Sequence, residues 1–326
     1  MQYAMRRVLV AAVLSAAIGP RLAWATSDST ATAPLDRQLG SHRFMGAIEV
    51  PNPFLSSYVT SSTGMANTVG REVSLYNFDD PPVLVEKVAV DLSYLSQQFA
   101  FQKRVGRDVA LRLSLAGSGR LGTETAALLT EGVSVIMGGS AGGTVRLSER
   151  PGFRLAGSLD VSANSLTIVS PRSAIEDILA NGLTDTTRSM TEEQSNLRAT
   201  TGLRAAWGLS TMTGCLLFGD VGIQEPYDEQ DPSEVYWQAG GALSLDMRER
   251  WGHAVGFMLN TNYRSTGSRN EDLGSGGWSA GLGVFYTGRP ELTMGIQTEF
   301  TQAHQTTVED RFKALGLALV LRYDFS

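Results

Sequence analysis

Apolar and polar side chains alternate along most of this chain, in segments of about ten residues. In 312–325, Leu315, Leu317, Leu319 and Leu321 share one face with aromatic residues, while small and polar residues form the other face. Successive side chains of a β-strand point to opposite faces, so the pattern predicts strands that separate an apolar environment from a polar one. The alternation recurs in 95–103, 109–115, 138–148, 153–161, 197–209, 213–224, 235–247, 252–264, 277–287 and 291–301.

A soluble β-sandwich also alternates, so the composition of the two faces decides between the alternatives. The polar face is rich in Gly, Ala and Ser with scattered arginines, which suits a crowded lumen. The apolar face has aromatic residues at strand ends, where a membrane barrel has its interfacial girdles. These residues are Trp278, Tyr286, Phe300, Tyr323 and Phe325.

The connections between the segments alternate in length, as a transmembrane barrel with short periplasmic turns and longer outer loops requires. Eleven segments leave the first strand on the wrong side of the membrane, so one more strand is expected within 45–91. We therefore predict an all-β fold: a single antiparallel up-and-down barrel of about 12 strands, with ten or fourteen as alternatives. The short turns are 104–107, 149–151, 209–212, 248–251 and 288–290, and the long connections are 118–137, 164–194, 225–234, 266–274 and 303–311.

Short helices are predicted at 123–132 and 171–182, within the two longest outer loops. The second begins near Ser170 or Ser173 and stops at Gly182, which are typical helix boundary residues. Either these helices pack within the loops, or they form a lid or constriction over a pore.

The N-terminus has the layout of a secretory signal peptide. Arg6 and Arg7 precede an apolar run at 8–18, and Ala23-Trp24-Ala25 offers a cleavage site. The alternative, a helical membrane anchor, would need about twenty apolar residues. We predict a signal peptide at 1–25, a flexible segment at 26–44 and an outer-membrane barrel at 45–326.

Charge and composition argue against several functions. Cleavage removes three of the 27 basic residues and none of the 33 acidic ones, which leaves a net charge of −9 and argues against a nucleic-acid partner. Cys215 is the single cysteine, which excludes an intramolecular disulfide and a cysteine metal cage. There are three histidines, and neither a Gly-x-Ser-x-Gly nor a His-Glu-x-x-His motif is present. We therefore predict no enzyme activity, cofactor or bound metal.

Charged residues on the polar face are the candidate functional residues. Seven cations and five anions in a narrow tube form either an interstrand salt-bridge network or the lining of a pore that favours anionic solutes, because lone desolvated charges are costly. By alternation the inward charges are Arg112, Arg146, Arg154, Asp160, Arg198, Arg204, Asp220, Asp246, Arg264, Glu299, Arg322 and Asp324.

The last strand, which ends Leu321-Arg322-Tyr323-Asp324-Phe325, resembles the C-terminal strand of bacterial outer-membrane β-barrel proteins. The resemblance implies location in the outer membrane, contact with its lipid and lipopolysaccharide, and recognition of Tyr323 and Phe325 by the barrel-assembly machinery. This chain departs from the pattern because Ser326 follows the final aromatic residue.

The stretch Pro51-Asn52-Pro53-Phe54 is similar to the N-terminal part of hydrophobic-compound transporter-type barrels, which carry an N-terminal plug. The alternative is a proline-rich linker before the barrel. Together these features predict a channel or transporter for small solutes, either hydrophobic or anionic. The alternative function is a non-conducting structural or surface-exposed barrel with a salt-bridged lumen.

Overall fold

The computed structural model contains sixteen β-strands and one short helix among the residues that it describes. The described residues are 36–46, 50–69, 72–76, 84–89, 92–122, 133–169, 191–225, 233–265, 276–304 and 311–325. The elements are β1 Gln38–Leu39, β2 His42–Arg43, β3 Ser57–Thr68, β4 Glu72–Tyr76, β5 Leu84–Ala89, β6 Leu92–Arg104, β7 Val109–Gly122, β8 Val133–Arg150, β9 Phe153–Val169, β10 Thr191–Gly208, β11 Thr213–Gln224, β12 Glu234–Asp246, α1 Arg248–Trp251, β13 Val255–Ser265, β14 Gly276–Tyr286, β15 Leu292–His304 and β16 Arg311–Phe325.

Twelve of the strands, β3 and β6 to β16, form one closed antiparallel barrel. Each pairs with the next along the chain, and β16 returns to pair with β3, where Leu317 lies opposite Met65. Closure removes the free strand edges that an open sheet would present to lipid. The prediction of an all-β barrel with twelve strands is confirmed, and the first strand, β3, lies within 45–91 as expected. Two hairpins, β1–β2 and β4–β5, lie outside the barrel sheet.

The connections alternate in length, as predicted. We call the end of the barrel with the brief connections the short-turn end and the opposite end the long-connection end. The turn between β12 and β13 contains the helix α1, which ends at Gly252 with a left-handed backbone (φ 68°). The helices predicted at 123–132 and 171–182 lie outside the described residues.

Strands β8, β9 and β10 are longer than the alternation predicted. They have 18, 17 and 18 residues, against roughly 9–11 for a strand that only crosses the hydrocarbon core. The added residues lie mainly toward the long-connection end. In β9 and β10 many of them are polar on both faces, as in Asn164, Ser165 and Thr167, whereas those of β8, Val133 to Met137, are mostly apolar. Apolar periodicity cannot reveal a strand that continues into water, which explains the difference for β9 and β10.

The outer face of the barrel is apolar. Leu315 and Leu319 are 55% and 60% exposed, although a soluble protein would bury such side chains. Aromatic pairs lie near both ends of this face: Trp237 with Tyr263 toward the long connections, and Phe153 with Trp207 toward the short turns. This belt between two aromatic girdles matches the lipid-facing surface of a membrane barrel. Among the described residues, no helix is both long and apolar enough to cross a membrane.

The segment before β3 packs inside the short-turn end of the lumen, and we call residues 36–46 and 50–56 the N-terminal cap. Its buried apolar residues pack against inward-facing strand residues such as Leu216, Met258 and Phe285 and form one apolar cluster with them. This differs from the predicted flexible segment at 26–44, because residues 36–44 are held by buried contacts. It also favours a plug over a linker for Pro51 to Phe54. The buried cap residues include Arg37, Leu39, His42, Phe44, Met45, Val50, Phe54 and Leu55.

Candidate functional site

The predicted inward charges lie in several separate groups rather than in one network. Eleven of the twelve contact other lumen or cap residues, and these contacts divide them between the short-turn end, the middle of the lumen and the region nearer the long connections. Glu299 is half-buried on the inward face of β15, and within the described ranges of the chain its carboxylate is not part of these groups. Alternation placed these residues on a face, but it could not predict which residues contact each other.

Arg322 and Asp324 lie on β16 at the short-turn end. An Arg322 nitrogen lies 2.8 Å from the Asp324 carboxylate, and the Arg322 guanidinium carbon lies 3.8 Å from the centre of the Tyr58 ring. Arg37 of the cap reaches the same carboxylate at 3.0 Å and donates to the Thr293 hydroxyl. A single aspartate therefore holds one guanidinium from the barrel and another from the cap.

A second charged group anchors the cap on the opposite side of the barrel. Asp36 accepts from Arg154 at 2.6 Å and from Arg146 at 3.3 Å. Glu149 pairs with both arginines. Arg104 and Asp108 extend the group, at 4.0 Å from Asp36 and 3.9 Å from Arg146, so three cations face three anions and the group is neutral. The Arg154 guanidinium also lies over the ring of Phe54.

Hydrogen bonds fix the rest of the cap to the short turns. The imidazole of the fully buried His42 lies between the Ser244 hydroxyl, at 3.1 Å, and the Thr211 carbonyl, at 3.4 Å. Ser244 lies on β12, the strand of the predicted lumen residue Asp246, whose carboxylate accepts from Thr287. The guanidinium of Arg43 donates to the backbone carbonyls of Thr287, Arg289, Pro290 and Leu292. The cap therefore contacts residues from most of the barrel circumference.

The middle of the lumen contains a compact ion-pair group. Asp160 on β9 accepts from Arg112 at 2.7 Å and from Arg204 at 2.9 Å. Its neighbour across the strand pair is Gly142, where an added Cβ would collide with the Asp160 carboxylate. Asp220 on β11 accepts from Gln238 at 2.8 Å. Two arginines thus face two aspartates, so this level of the lumen has no net charge.

A third arrangement, nearer the long connections, joins two arginines to one glutamine and one tyrosine. Arg198 and Arg264 both donate to the side-chain oxygen of Gln224, at 2.7 and 3.2 Å. Their guanidinium carbons lie 4.9 and 5.0 Å from the ring centre of Tyr236. Tyr236 is buried, and its hydroxyl bonds to Thr200. The acceptor that these two cations share is a neutral amide.

A cavity of about 340 Å³ lies between the cap and these charged groups. The cap contributes Gly46, Val50, Pro51 and Asn52 to its wall, and the strands contribute mostly hydroxyl, amide and charged side chains. The charged residues of the lining are Arg112, Arg198, Arg204, Arg322, Asp160 and Asp220.

The two residues of the predicted assembly signal lie on the outside of the barrel. Tyr323 is 49% exposed, and Phe325 stacks on Phe101 of β6, with ring centres 6.0 Å apart. Both therefore belong to the lipid-facing surface at the short-turn end.

Comparisons with known proteins agree with this architecture. No protein-family model matches the chain, and no curated protein matches it. The structure is similar to an outer-membrane channel from Pseudomonas putida F1, with a TM-score of 0.52 and 11% identity over 86% of this chain and 100% of that one. The fold is that of an outer-membrane β-barrel.

More distant similarities are to the NanC porin and to the KdgM porin in complex with disordered oligogalacturonate. Their TM-scores are 0.49 and 0.45, with 6% and 7% identity over 82% of this chain and 100% and 99% of those chains. The closed barrel, the apolar belt and the aromatic girdles place this protein in the outer membrane.

Sequence reasoning missed the cap residues that complete the site. Asp36, Arg37, His42 and Arg43 precede the first barrel strand, β3, in a segment where no alternation assigns a side chain to a face. One signal was available: three charged residues and a histidine lie within eight positions that also include Leu39. Gln224 and Tyr236 were also missed as site residues, because only the charged side chains of the inward face were taken as candidates, and these two are a neutral amide and an aromatic ring.

Proposed function

We propose that this protein is an outer-membrane channel for small anionic solutes and that the N-terminal cap closes it at rest. The observation that carries the proposal is the polar cavity above the cap, in which four arginines but only two aspartates contribute to the wall. Rings or clusters of arginine in a narrow passage favour anions over cations. The likeness to the Pseudomonas putida channel supports the same kind of fold.

The lining favours an anionic rather than a hydrophobic solute. Most residues of the wall have hydroxyl, amide or charged side chains, and Ser114, Ser140, Ser162 and Thr60 accompany the charged residues. A binding site for a hydrophobic compound would instead be lined mainly by apolar and aromatic residues. The barrel wall is also continuously hydrogen bonded between neighbouring strands, so passage along the lumen is the route we propose.

The cap is the element that has to move for a solute to pass. It is held by the Asp36 group and by the Arg37–Asp324 ion pair, on different parts of the barrel wall. Breaking both contacts on the cap side should loosen it without removing a barrel residue.

Planar-bilayer recordings test the proposal. We expect the mature wild-type protein to open rarely and with anion selectivity, and the double variant Asp36→Asn/Arg37→Gln to open far more often. Glu249→Gln/Arg250→Gln is the matched control, because both residues are exposed in α1 at the same end of the barrel and the net charge is unchanged in each pair. The control should behave as the wild type does.

The second candidate is a non-conducting barrel whose interior serves stability. The buried ion pairs of the cap favour it, because such contacts fill and cross-link the short-turn end. It predicts that the wild type and the Asp36→Asn/Arg37→Gln variant both remain closed, while the variant unfolds at a lower urea concentration. That result would overturn the channel proposal.

A further inference from the structure

We infer that Arg198 anchors a binding site for the carboxylate of a small solute, within the cavity above the cap. This deepens the proposed function by naming the chemical group that the lumen recognises. The inference itself requires only that a solute reaches the cavity, and binding can be measured without any conductance.

The contacts of Arg198 leave hydrogen-bonding capacity available. In the part of the chain that the structure describes, its guanidinium contacts the neutral side chain of Gln224 and the ring of Tyr236, and its Nε atom is buried without a hydrogen-bond partner. Guanidinium bonds to a carboxylate are stronger than those to a neutral amide, and two of them can form in parallel. A solute carboxylate would therefore be a better acceptor than Gln224 for the same donor group.

The distribution of charge singles out this arginine among those of the cavity wall. Arg112 and Arg204 share Asp160, with Asp220 nearby, and Arg322 is paired with Asp324. Those cations already have carboxylate partners, whereas the hydrogen-bond acceptor of Arg198 in the described part of the chain is the neutral side chain of Gln224. The positive potential in the cavity should therefore be highest near Arg198, where a carboxylate gains the most.

Tyr236 holds the anchor in place. Its ring packs closely on β11 at Gly222, where an added Cβ would lie only 2.9 Å from the ring, and its hydroxyl bonds to Thr200. A ring fixed at both ends gives the guanidinium a defined position, and a preorganised donor binds with less loss of side-chain entropy.

The size of the cavity limits the ligand. A volume of about 340 Å³ is at the lower end of the range for small-molecule sites. It suits a carboxylate with one ring or a short chain rather than a long polymer threaded in full. Benzoate is a suitable probe, because benzamide has nearly the same shape without the charge.

Isothermal titration of the folded full-length mature protein in detergent tests the site. We expect benzoate to bind and benzamide to bind at least about ten-fold more weakly, because a charge-assisted pair is replaced by neutral hydrogen bonds. Arg198→Gln should weaken benzoate binding by about ten-fold or more and leave the affinity for benzamide unchanged. The affinity of Arg198→Lys for benzoate should lie between those of the wild type and Arg198→Gln, since lysine keeps the positive charge but lacks the planar guanidinium that can form two parallel hydrogen bonds. Arg150→Gln, at an exposed position on β8, loses the same charge outside the cavity and should bind as the wild type does.

The outcomes separate this inference from the channel proposal. Benzoate binding that depends on Arg198, in a protein that never conducts, would uphold the site and overturn the channel. Anion-selective conductance without Arg198-dependent binding would uphold the channel and overturn the site. Equal affinity for benzoate and benzamide in the wild type would overturn the site by itself, even if Arg198→Gln does not fold.

Discussion

The guanidinium of Arg37 lies 3.0 Å from the carboxylate of Asp324, and neither side chain is more than 2% exposed. This contact joins the N-terminal cap to the last strand of the barrel. That strand, β16, closes the barrel on β3, which directly follows the cap in the sequence. Closure of the barrel and docking of the cap therefore meet at one carboxylate, which also holds Arg322.

Replacing Asp324 with asparagine should be strongly destabilising. The substitution leaves Arg37 and Arg322 buried without their shared carboxylate, and loss of one partner of a buried pair costs about 3–5 kcal/mol. Urea unfolding in detergent, followed by tryptophan fluorescence, should show a lower midpoint. Glu249→Gln, which changes an exposed acid of α1 at the same end, is the control. An unchanged midpoint for Asp324→Asn would mean that the cap does not depend on this ion pair.

Acid should loosen the cap through His42. Burial lowers the pKa of His42 below its usual value of 6.5, although the Thr211 carbonyl and the nearby charge of Asp246 act in the opposite direction. When the cap is released, His42 regains its usual pKa of 6.5 and takes up a proton below pH 6.5, whereas the buried His42 of the docked cap resists protonation. Docking is therefore unaffected above pH 6.5 and weakens as the pH falls below it.

Bilayer recordings across this pH range provide the measurement. The open probability of the wild type should rise as the pH falls, and His42→Gln should remove most of that rise. His253→Gln, which changes an exposed histidine, should keep the wild-type profile. If His42→Gln retains the full pH dependence, a different group controls the cap.

The barrel could be predicted from the sequence because its signal is repeated and physical. A lipid-facing strand must place an apolar side chain at every second position, as Leu315 to Leu321 do, and connection lengths must alternate with each crossing. Residues that do not face lipid are not under this constraint, so the alternation does not predict their structure. The polar extensions of β9 and β10 beyond the apolar belt have no apolar periodicity, so the lengths of these strands were underestimated.

The site could be predicted only in part, for a related reason. Alternation placed Arg112 and Asp160 on the inward face. Their contact, however, joins β7 to β9 across the intervening strand β8. Such a contact depends on the strand register and on a small residue between the two side chains, here Gly142. The cap has no periodic constraint at all. Its charged residues acquire partners, such as Asp324 for Arg37, that are almost the whole chain length away.

The two faces of β16 should respond differently to substitution. Leu317 is 46% exposed toward lipid, whereas the adjacent Ala318 faces the lumen. Leu317→Arg should cost about 2–4 kcal/mol, because arginine near the middle of the bilayer is poorly solvated on the outer face of a barrel. Ala318→Ser should change the unfolding midpoint in liposomes very little. Equal losses at the two positions would indicate a strand that is buried on both sides.

The long connections should face the outside of the cell. In a Cys215→Ser background, cysteines introduced at Ser233 and Arg250 are both exposed, but they lie at the long-connection and short-turn ends respectively. A membrane-impermeant maleimide added to intact cells should label Ser233→Cys and spare Arg250→Cys until the outer membrane is permeabilised. Labelling of Arg250→Cys alone in intact cells would reverse the orientation.

The two arginine groups that face the cavity should have separable roles. Asp160 lies 2.7 Å from Arg112 and 2.9 Å from Arg204, so Asp160→Asn leaves two neighbouring guanidiniums without their shared anion. We expect a loss of about 3–5 kcal/mol in the free energy of unfolding. Arg198→Gln should cost far less, because it leaves only the neutral Gln224 and Tyr236 behind.

The same pair of variants should move ion selectivity in opposite directions. Asp160→Asn removes a negative charge from the cavity wall and should raise the permeability of anions relative to cations, whereas Arg198→Gln should lower it. Urea midpoints and reversal potentials, measured on the same preparations, distinguish stability from selectivity. If both variants lower the urea midpoint equally and leave ion selectivity unchanged, Arg198 has the same structural role as Arg112 and Arg204. The charged residues of the lumen would then serve to stabilise the barrel.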